Sequence, residues 1–257
     1  MVDYVRYEEL SLNAWPSIQT DHYRGCVLRM SGGYTKRANS ANCLYLDPAD
    51  IPAVVPYVER FYRTHGLPVT YKIIGVDGYT ALDKTLESRG YRTIDETCVM
   101  EIDLDKARSA SHGAPEPLPE SAPGTVVSGE AFTEEWLSDF SKCGNLGDNA
   151  PIARQMLSSI AGEVVVASCA VAGRPVGFGY GALEDGYVGF FDIMVAAEYR
   201  GQGFGRMLMD GIIDAAKKRG AKKGYLQVVA ANAVARKLYD SIGFTERYRY
   251  WYRVNAL

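Results

Sequence analysis

The segment best equipped to do chemistry is Arg200-Gly201-Gln202-Gly203-Phe204-Gly205-Arg206, which follows an apolar strand-like run and opens a helical one. Glycines at alternate positions let the backbone approach a ligand without a Cβ in the way. The first turn of the following helix offers N–H groups with no intrahelical acceptor and the positive end of the helix dipole, which suits phosphate. The dipole alone supplies only about 0.3–1 kcal/mol per charge, so several direct N–H contacts must provide most of the affinity. Arg200 and Arg206 flank these donors and would repel them without an anion between. The P-loop ending is missing, because Arg206-Met207 follows Gly205, and the glycine spacing also fails the dinucleotide fingerprint. A glycine-rich turn that merely starts a helix is the plainer alternative.

Two further residues stand out by their surroundings. Tyr239 borders the apolar line Val234, Leu238, Ile242 of a helical run, so it is either a core tyrosine or a phenol presented to a site. Asp192 interrupts an apolar strand three residues before Val195. A carboxylate there must be paired, solvated in a cleft or raised in pKa. Glu184 and Asp185 sit at a turn and read as solvated.

Apolar and turn-forming residues define the elements that must position these groups. Strand-like runs occur at Cys26–Met30, Val69–Ile74 and Thr97–Leu104, with helical stretches at about 50–64 and 79–89, the second stopped by Gly90. Four prolines among Ala, Ser and Gly mark residues 105–124 as a linker. The expected division is therefore 1–104, a linker at 105–124, and a second domain at 125–257. After the linker come a strand at Thr125–Ser128 and a helix including Thr133–Ser141. A meander follows at Glu163–Val171, Val176–Leu183 and Tyr187–Val195, with turns at Gly173-Arg174-Pro175 and Asp185-Gly186. The helix after Gly205 runs to about Arg219, then a strand Gly224–Val229, a helix Asn232–Ile242, Gly243-Phe244 and a last strand Arg247–Val254. The order strand, helix, Gly-aromatic, strand occurs twice, and Leu86 stands in the first copy where Tyr239 stands in the second. The polar run Gly32–Ser40 reads as a substrate-contacting hairpin or as a surface loop.

Composition narrows the function. The 257 residues, 47% hydrophobic and 23% charged, are those of a globular protein, about 1.7 domains by length. A net charge of −3 disfavours a nucleic-acid binder. No apolar run reaches the roughly 18 residues of a membrane helix, and the N-terminal residues lack a signal-peptide layout, so no membrane partner and a cytoplasmic location are expected. Cys26, Cys43, Cys98, Cys143 and Cys169 are odd in number and widely spaced, and they share no ligand spacing with His22, His65 and His112. Neither a disulfide framework nor a metal site is expected.

The loop resembles the signature of the GNAT superfamily of N-acyltransferases, Arg/Gln-x-x-Gly-x-Gly/Ala between a strand and the following helix, matched by Arg200, Gly203 and Gly205. The resemblance extends to Asn232, Tyr239 and the ending Gly243-Phe244, covers about 125–254, and makes the N-terminal half a degenerate copy without the phosphate loop. It implies an α/β (α+β) fold of two such lobes, each a mixed, mostly antiparallel twisted sheet flanked by helices. It also implies a splayed-strand cleft for acyl-CoA in the C-terminal lobe. Acetyl-CoA would be the cosubstrate. Backbone groups of Ile193, Met194 and Val195 would pair with its pantetheine amides. Arg200, Gly201, Gln202, Gly203, Phe204, Gly205 and Arg206 would surround the pyrophosphate, with Asn232 and Tyr239 completing the site. Lys217, Lys218, Lys222 and Lys223 either meet the 3′-phosphate or line a solvated helix face.

The implied chemistry is direct acyl transfer to an amine in a ternary complex, with Tyr239 assisting the departing thiolate and Asp192 the best candidate for the base. A lysine-like amine of pKa about 10.4 costs roughly 4.6 kcal/mol to deprotonate at pH 7, an α-amine only about 1 kcal/mol. The first therefore calls for a positioned carboxylate or a water relay. The acceptor is expected to be a small molecule or peptide amine, and the protein a monomer or homodimer. A non-catalytic acyl-CoA sensor is the rival; only the enzyme releases free thiol when an acceptor is supplied.

Overall fold

A computed structural model describes residues 3–108 and 125–255; residues 109–124, most of the expected linker, lie outside them. The fold is mixed α/β, with mostly antiparallel strands flanked by helices. It comprises two units, each assembled from separated stretches of sequence: Met1–Val99, Val229–Ala231 and Glu246–Leu257 in the first, Met100–Val228 and Asn232–Thr245 in the second.

In the first unit the strands run in the order β1 (Gln19–Tyr23), β2 (Cys26–Met30), β3 (Ala41–Asn42), β4 (Val69–Ile74), β11 (Thr245–Asn255) and β5 (Arg92–Asp103). Helices α1 (Tyr4–Ala14), α2 (Ile51–Thr64) and α3 (Thr80–Ser88) accompany them. Helix α1 starts at Asp3, whose carboxylate accepts the Arg6 N–H at 3.2 Å. Its buried face mixes Tyr7 and Leu10 with Glu8 and Ser11, so no clean apolar period announces it. Glu8 pairs with Lys72 of β4, Tyr248 donates to its other oxygen at 2.8 Å, and the Lys72 ammonium lies 3.8 Å from the Tyr250 ring centroid. Such a buried pair is tolerated only because each charge is matched on several sides.

One expectation changes here, and one open alternative is decided. Strands β2 and β3 are antiparallel with Val27 opposite Asn42, which sets Cys26 against Cys43, and these two form a disulfide. The expectation of no disulfide is thereby corrected. A separation of 17 in sequence conceals neighbours that only strand pairing brings together. The run Gly32–Ser40 is a closed turn rather than a hairpin. Asn39 Oδ1 accepts from Ser31 and Gly33 N–H at 2.7 and 2.9 Å, and its Nδ2 donates to the Thr35 carbonyl at 2.8 Å.

The second unit orders β10 (Lys223–Val229), β9 (Tyr187–Val195), β8 (Arg174–Glu184), β7 (Glu163–Val171) and β6 (Thr125–Gly129), with the end of β5 on the other side of β10. Its helices are α4 (Glu134–Cys143), α5 (Ala150–Ser158), α6 (Phe204–Lys218) and α7 (Ala233–Ile242). Strand β8 alternates glycine with aromatics, and the two sets face opposite ways. Phe178 meets Trp136 of α4 at 5.6 Å between centroids, and Tyr180 meets Phe132 at 5.2 Å. On the other face α6 lies against nearly bare backbone. A Cβ on Gly181 would fall 2.7 Å from Ile212 Cγ2, and one on Gly177 3.2 Å from Leu208 Cδ1. Burial of Leu208, Met209, Ile212 and Ile213, at roughly 1.5–3 kcal/mol each, fixes α6 and hence the loop that precedes it.

Ile102 and Leu104 belong to this second unit and pack on Gly224, where a Cβ would lie 2.9 and 3.1 Å from their side chains. A chain of residues 105–257 lacks both and is expected to show no cooperative thermal transition; a sharp melt equal to the full chain's would contradict this packing. A second prediction concerns Gly189, opposite Tyr225 in the β9–β10 register. A Cβ there would stand 2.5 Å from Tyr225 Cζ and 2.6 Å from Phe191 Cε2, both in side chains too buried to swing away. Gly189→Ala should lower stability by about 2 kcal/mol in urea titrations, and an unchanged midpoint would refute it.

Candidate functional site

At the end of β9 the Ala196 N–H donates to the Val176 carbonyl at 2.8 Å, and a 3-10 turn, Ala197–Tyr199, leads into the loop. The three glycines serve two purposes. Gly201 (φ +76°) and Gly203 (φ +87°) adopt left-handed backbone that strains any residue with a Cβ, although that atom would meet nothing there. Gly205 has ordinary backbone, but a Cβ on it would touch Leu238 Cδ2 of α7 at 3.4 Å, so it brings α6 and α7 together. Phe204 is buried and meets Tyr199 edge-on at 6.1 Å, fixing the start of α6. Met207 N–H donates to Gly203 O at 3.1 Å, so the N–H groups of Phe204, Gly205 and Arg206 precede the first intrahelical bond, and Gly203 offers no side-chain cap.

The two arginines are already engaged by the fold. Arg200 Nε donates to Val195 O at 3.1 Å, and Gln202 Nε2 to Glu198 O at 3.0 Å. Arg206 Nε contacts both Asp210 oxygens at 2.9 and 3.0 Å, and another nitrogen of its guanidinium donates to the Arg108 carbonyl. Burial raises the Asp210 carboxyl above its ordinary range, against the opposing pull of Arg206. The expected repulsion between these cations and the helix N-terminus is thus met internally. The spacing of Arg206 and Asp210, four apart on one helix, carried that signal.

Upstream of the loop, β9 and β10 pair in parallel from Tyr187–Lys223 to Phe190–Leu226, and then the pairing ceases although both strands continue. On its other side β9 bulges. Phe178 faces Met194 and Tyr180 faces Phe191, so Asp192 and Ile193 stand against Gly179 alone. Asp192 occupies the bulge with φ +49°, left-handed backbone unusual for a residue with a Cβ. Neighbouring side chains hold it there. Phe191 stacks on Tyr180 at 5.4 Å, and Ile193 lies over Gly179, where a Cβ would be 2.5 Å from its Cδ1. The stretch Phe191–Val195, containing Ile193, Met194 and Val195, therefore has an edge without strand partner on the β10 side.

Helix α7 closes the arrangement. Asn232 caps it, Oδ1 accepting from Ala235 N–H at 3.1 Å, so this side chain is occupied by the helix. Gly243 ends it in left-handed backbone, with Phe244 N–H on Tyr239 O at 3.0 Å. Tyr239 meets Phe244 edge-on at 6.0 Å, and burial pushes its phenol up to about 12. The apolar line read from sequence is unevenly covered: Ile242 is buried, Leu238 half-buried, and Val234 is 84% exposed. Of the four lysines, Lys217 and Lys223 are engaged elsewhere. Lys217 contacts Leu104 O at 3.2 Å and Asp105 at 3.3 Å, and Lys223 is 3.7 Å from Glu101. They mark the far end of α6, about 22 Å from the loop.

A family model described as "Probable histone acetyltransferase Rv0428c C-terminal" matches residues 5–253. A Bacillus subtilis (strain 168) protein named "Uncharacterized N-acetyltransferase YobR" is 28% identical over 266 residues, covering 99% of each chain. Among solved structures, a GCN5-related N-acetyltransferase from Kribbella flavida aligns with a TM-score of 0.70 at 13% identity, over 99% of this chain and 96% of that one. A tandem GNAT protein from the clavulanic acid biosynthesis pathway aligns with a TM-score of 0.68 at 14% identity, over 96% and 87%. The two likenesses at low identity establish the fold.

The cap on α7 yields a stability prediction. Asn232→Ala should cost about 1 kcal/mol in chemical denaturation, and Asn232→Asp should restore most of it. Equal midpoints for all three proteins would show that the cap contributes nothing.

Proposed function

The chain belongs to this acetyltransferase family, of GNAT-superfamily N-acetyltransferases, and on that premise we propose that it transfers the acetyl group of acetyl-CoA directly to a primary amine in a ternary complex. One observation carries the reading: within the second unit, an unpaired strand edge at Phe191–Val195 leads into uncapped helix amides at Phe204–Arg206, with α7 alongside at Leu238. Pantetheine amides would extend the sheet along Ile193–Val195. The pyrophosphate would accept from the N–H groups between Gly201 and Arg206, Gln202 among them. Asn232 would contribute by fixing the first turn of α7. All of these residues lie in 125–257, which we assign as the catalytic portion, with 1–104 a degenerate tandem lobe. In that lobe Leu86, fully buried, holds the place of Tyr239.

The amine nitrogen attacks the thioester carbonyl, a C–N bond forms, and the tetrahedral species collapses as the C–S bond breaks. The amine proton leaves to a base, for which Asp192 in the bulge is the candidate, and the thiolate takes up a proton as coenzyme A departs. Tyr239 can donate a hydrogen bond to that sulfur. With its phenol at about 12 against a thiol of about 8.5, full transfer is uphill by about 5 kcal/mol. Its role is therefore stabilisation by a shared proton, with transfer late, and it stays protonated across the working pH range. An activity loss on the alkaline side below pH 10 would belong to another group.

Thiol release from acetyl-CoA, followed across a panel of amines, tests the reading. An enzyme releases thiol only when an acceptor is present; a sensor binds coenzyme A and releases none. Tyr239→Phe should reduce kcat by about 100-fold while KM for acetyl-CoA changes less than about threefold. Asp192→Asn should displace the acidic limb of kcat/KM. Full turnover in the first variant, or an unmoved limb in the second, removes that residue from the mechanism.

A further inference from the structure

The first unit holds a groove of about 590 Å³ that acyl transfer in the second leaves unused. One wall is a single face of α3, carrying Thr80, Asp83, Lys84 and Glu87 at helical spacing. The floor is β11, where Arg249, Trp251 and Arg253 alternate onto the same side. Glu96 of β5 and the turn after β4 complete it, and every lining residue belongs to this unit. Trp251 is half-buried, and its Nε1 donates to Asp83 Oδ1 at 3.0 Å, which fixes the ring. Gly75 keeps that ring uncovered, since a Cβ there would lie 3.2 Å from Trp251 Cζ3.

Polar capacity in the groove is one-sided. Arg253 gives Nε and one terminal nitrogen to Asp83 at 2.7 and 2.9 Å, and the other to the Tyr91 carbonyl at 3.3 Å. Arg249 gives Nε and one terminal nitrogen to Glu246 at 2.6 and 3.1 Å, and the other to Glu96 Oε1 at 3.1 Å. Neither guanidinium has a nitrogen left for an anion. Glu96 meets Arg249 through Oε1 alone, and Glu87 meets Arg253 through Oε1 at 3.4 Å, so each keeps a second oxygen. Asp77 has no ion-pair partner among the described residues and offsets the positive start of α3. Lys84, also without one, is exposed on the outer wall. The spare groups are therefore carboxylate oxygens at the two ends, with an apolar ring between them. Arg249 and Arg253, which mark those ends, are four residues apart on β11, about 13 Å of strand.

We propose that this groove binds a linear aliphatic di- or polyamine, with one ammonium on Glu87, another on Glu96 and the methylene chain across Trp251. Each terminal cation meets a carboxylate, and the chain, or an inner ammonium, lies on an aromatic face. A zwitterion would find no cation but Lys84 for its carboxylate, and an anion would face four carboxylates. The site is separate from the coenzyme cleft, whose residues lie in the other unit.

Calorimetry of the full chain without acetyl-CoA tests it, with 1,8-diaminooctane, 1,4-diaminobutane and octylamine as probes. The eight-carbon diamine should bind about fivefold tighter than the other two, each of which leaves one end of the groove unpaired. Glu87→Gln and Glu96→Gln, both at exposed positions, should each weaken it by a similar factor, whereas Lys84→Ala should tighten it. Indole emission should shift on binding in the parent and not in Trp251→Phe, because Trp15 and Trp136 are buried. No saturable binding, octylamine bound as tightly as the diamine, weaker binding in Lys84→Ala, or an emission shift that persists in Trp251→Phe overturns the proposal.

Discussion

Two parallel strands that start as partners and then separate are the constraint on which this structure turns. Strands β9 and β10 share a ladder only as far as Phe190 and Leu226. Beyond that point β10 keeps to β5, with Ala230 N–H on Glu96 O at 2.8 Å, while β9 bulges at Asp192. Left-handed backbone at a residue with a Cβ costs about 1–2 kcal/mol, and an unused strand edge forgoes hydrogen bonds as well. The packing of Phe191 on Tyr180 and of Ile193 on Gly179 holds that strained arrangement in place. The edge thus exposed leads, through the turn Ala197–Tyr199 and the glycine loop, to the uncapped start of α6.

Much of this was legible in the chain. The meander, the glycine loop, the Asn232 cap and the Gly243 stop all carry local chemistry that acts at short range, and their elements lie within a few residues of expectation. Asp192 announced itself as a charge in an apolar strand, but its left-handed backbone did not, because a bulge is a relation between two strands. The alternation Gly177-Phe178-Gly179-Tyr180-Gly181 stated plainly that one face of β8 is bare. What that face receives is visible only once α6 lies on it. Helix α1 escaped because Glu8 and Ser11 occupy buried positions, and β1 because its side chains are exposed and polar.

Long-range pairing was the least legible feature. Cys26 and Cys43 are opposed because β2 and β3 pair, and the Lys72 ammonium is tolerable inside because Glu8, Tyr248 and Tyr250 converge on it from distant parts of the chain. The composition of the two units obeys the same logic. Met100–Leu104 belongs with the second and Glu246–Leu257 with the first, so the boundary of greatest proline content does not coincide with either packing unit. A repeated sequence order can mark descent from one lobe without marking two separable bodies.

Amide hydrogen exchange of the full chain, with and without acetyl-CoA, addresses the central claim most directly. The account predicts added protection concentrated at Ile193–Val195, whose β10-side edge has no strand partner, and at Phe204–Arg206, whose N–H groups precede the first intrahelical bond. Tight binding of acetyl-CoA with protection elsewhere and none at these two stretches would contradict it.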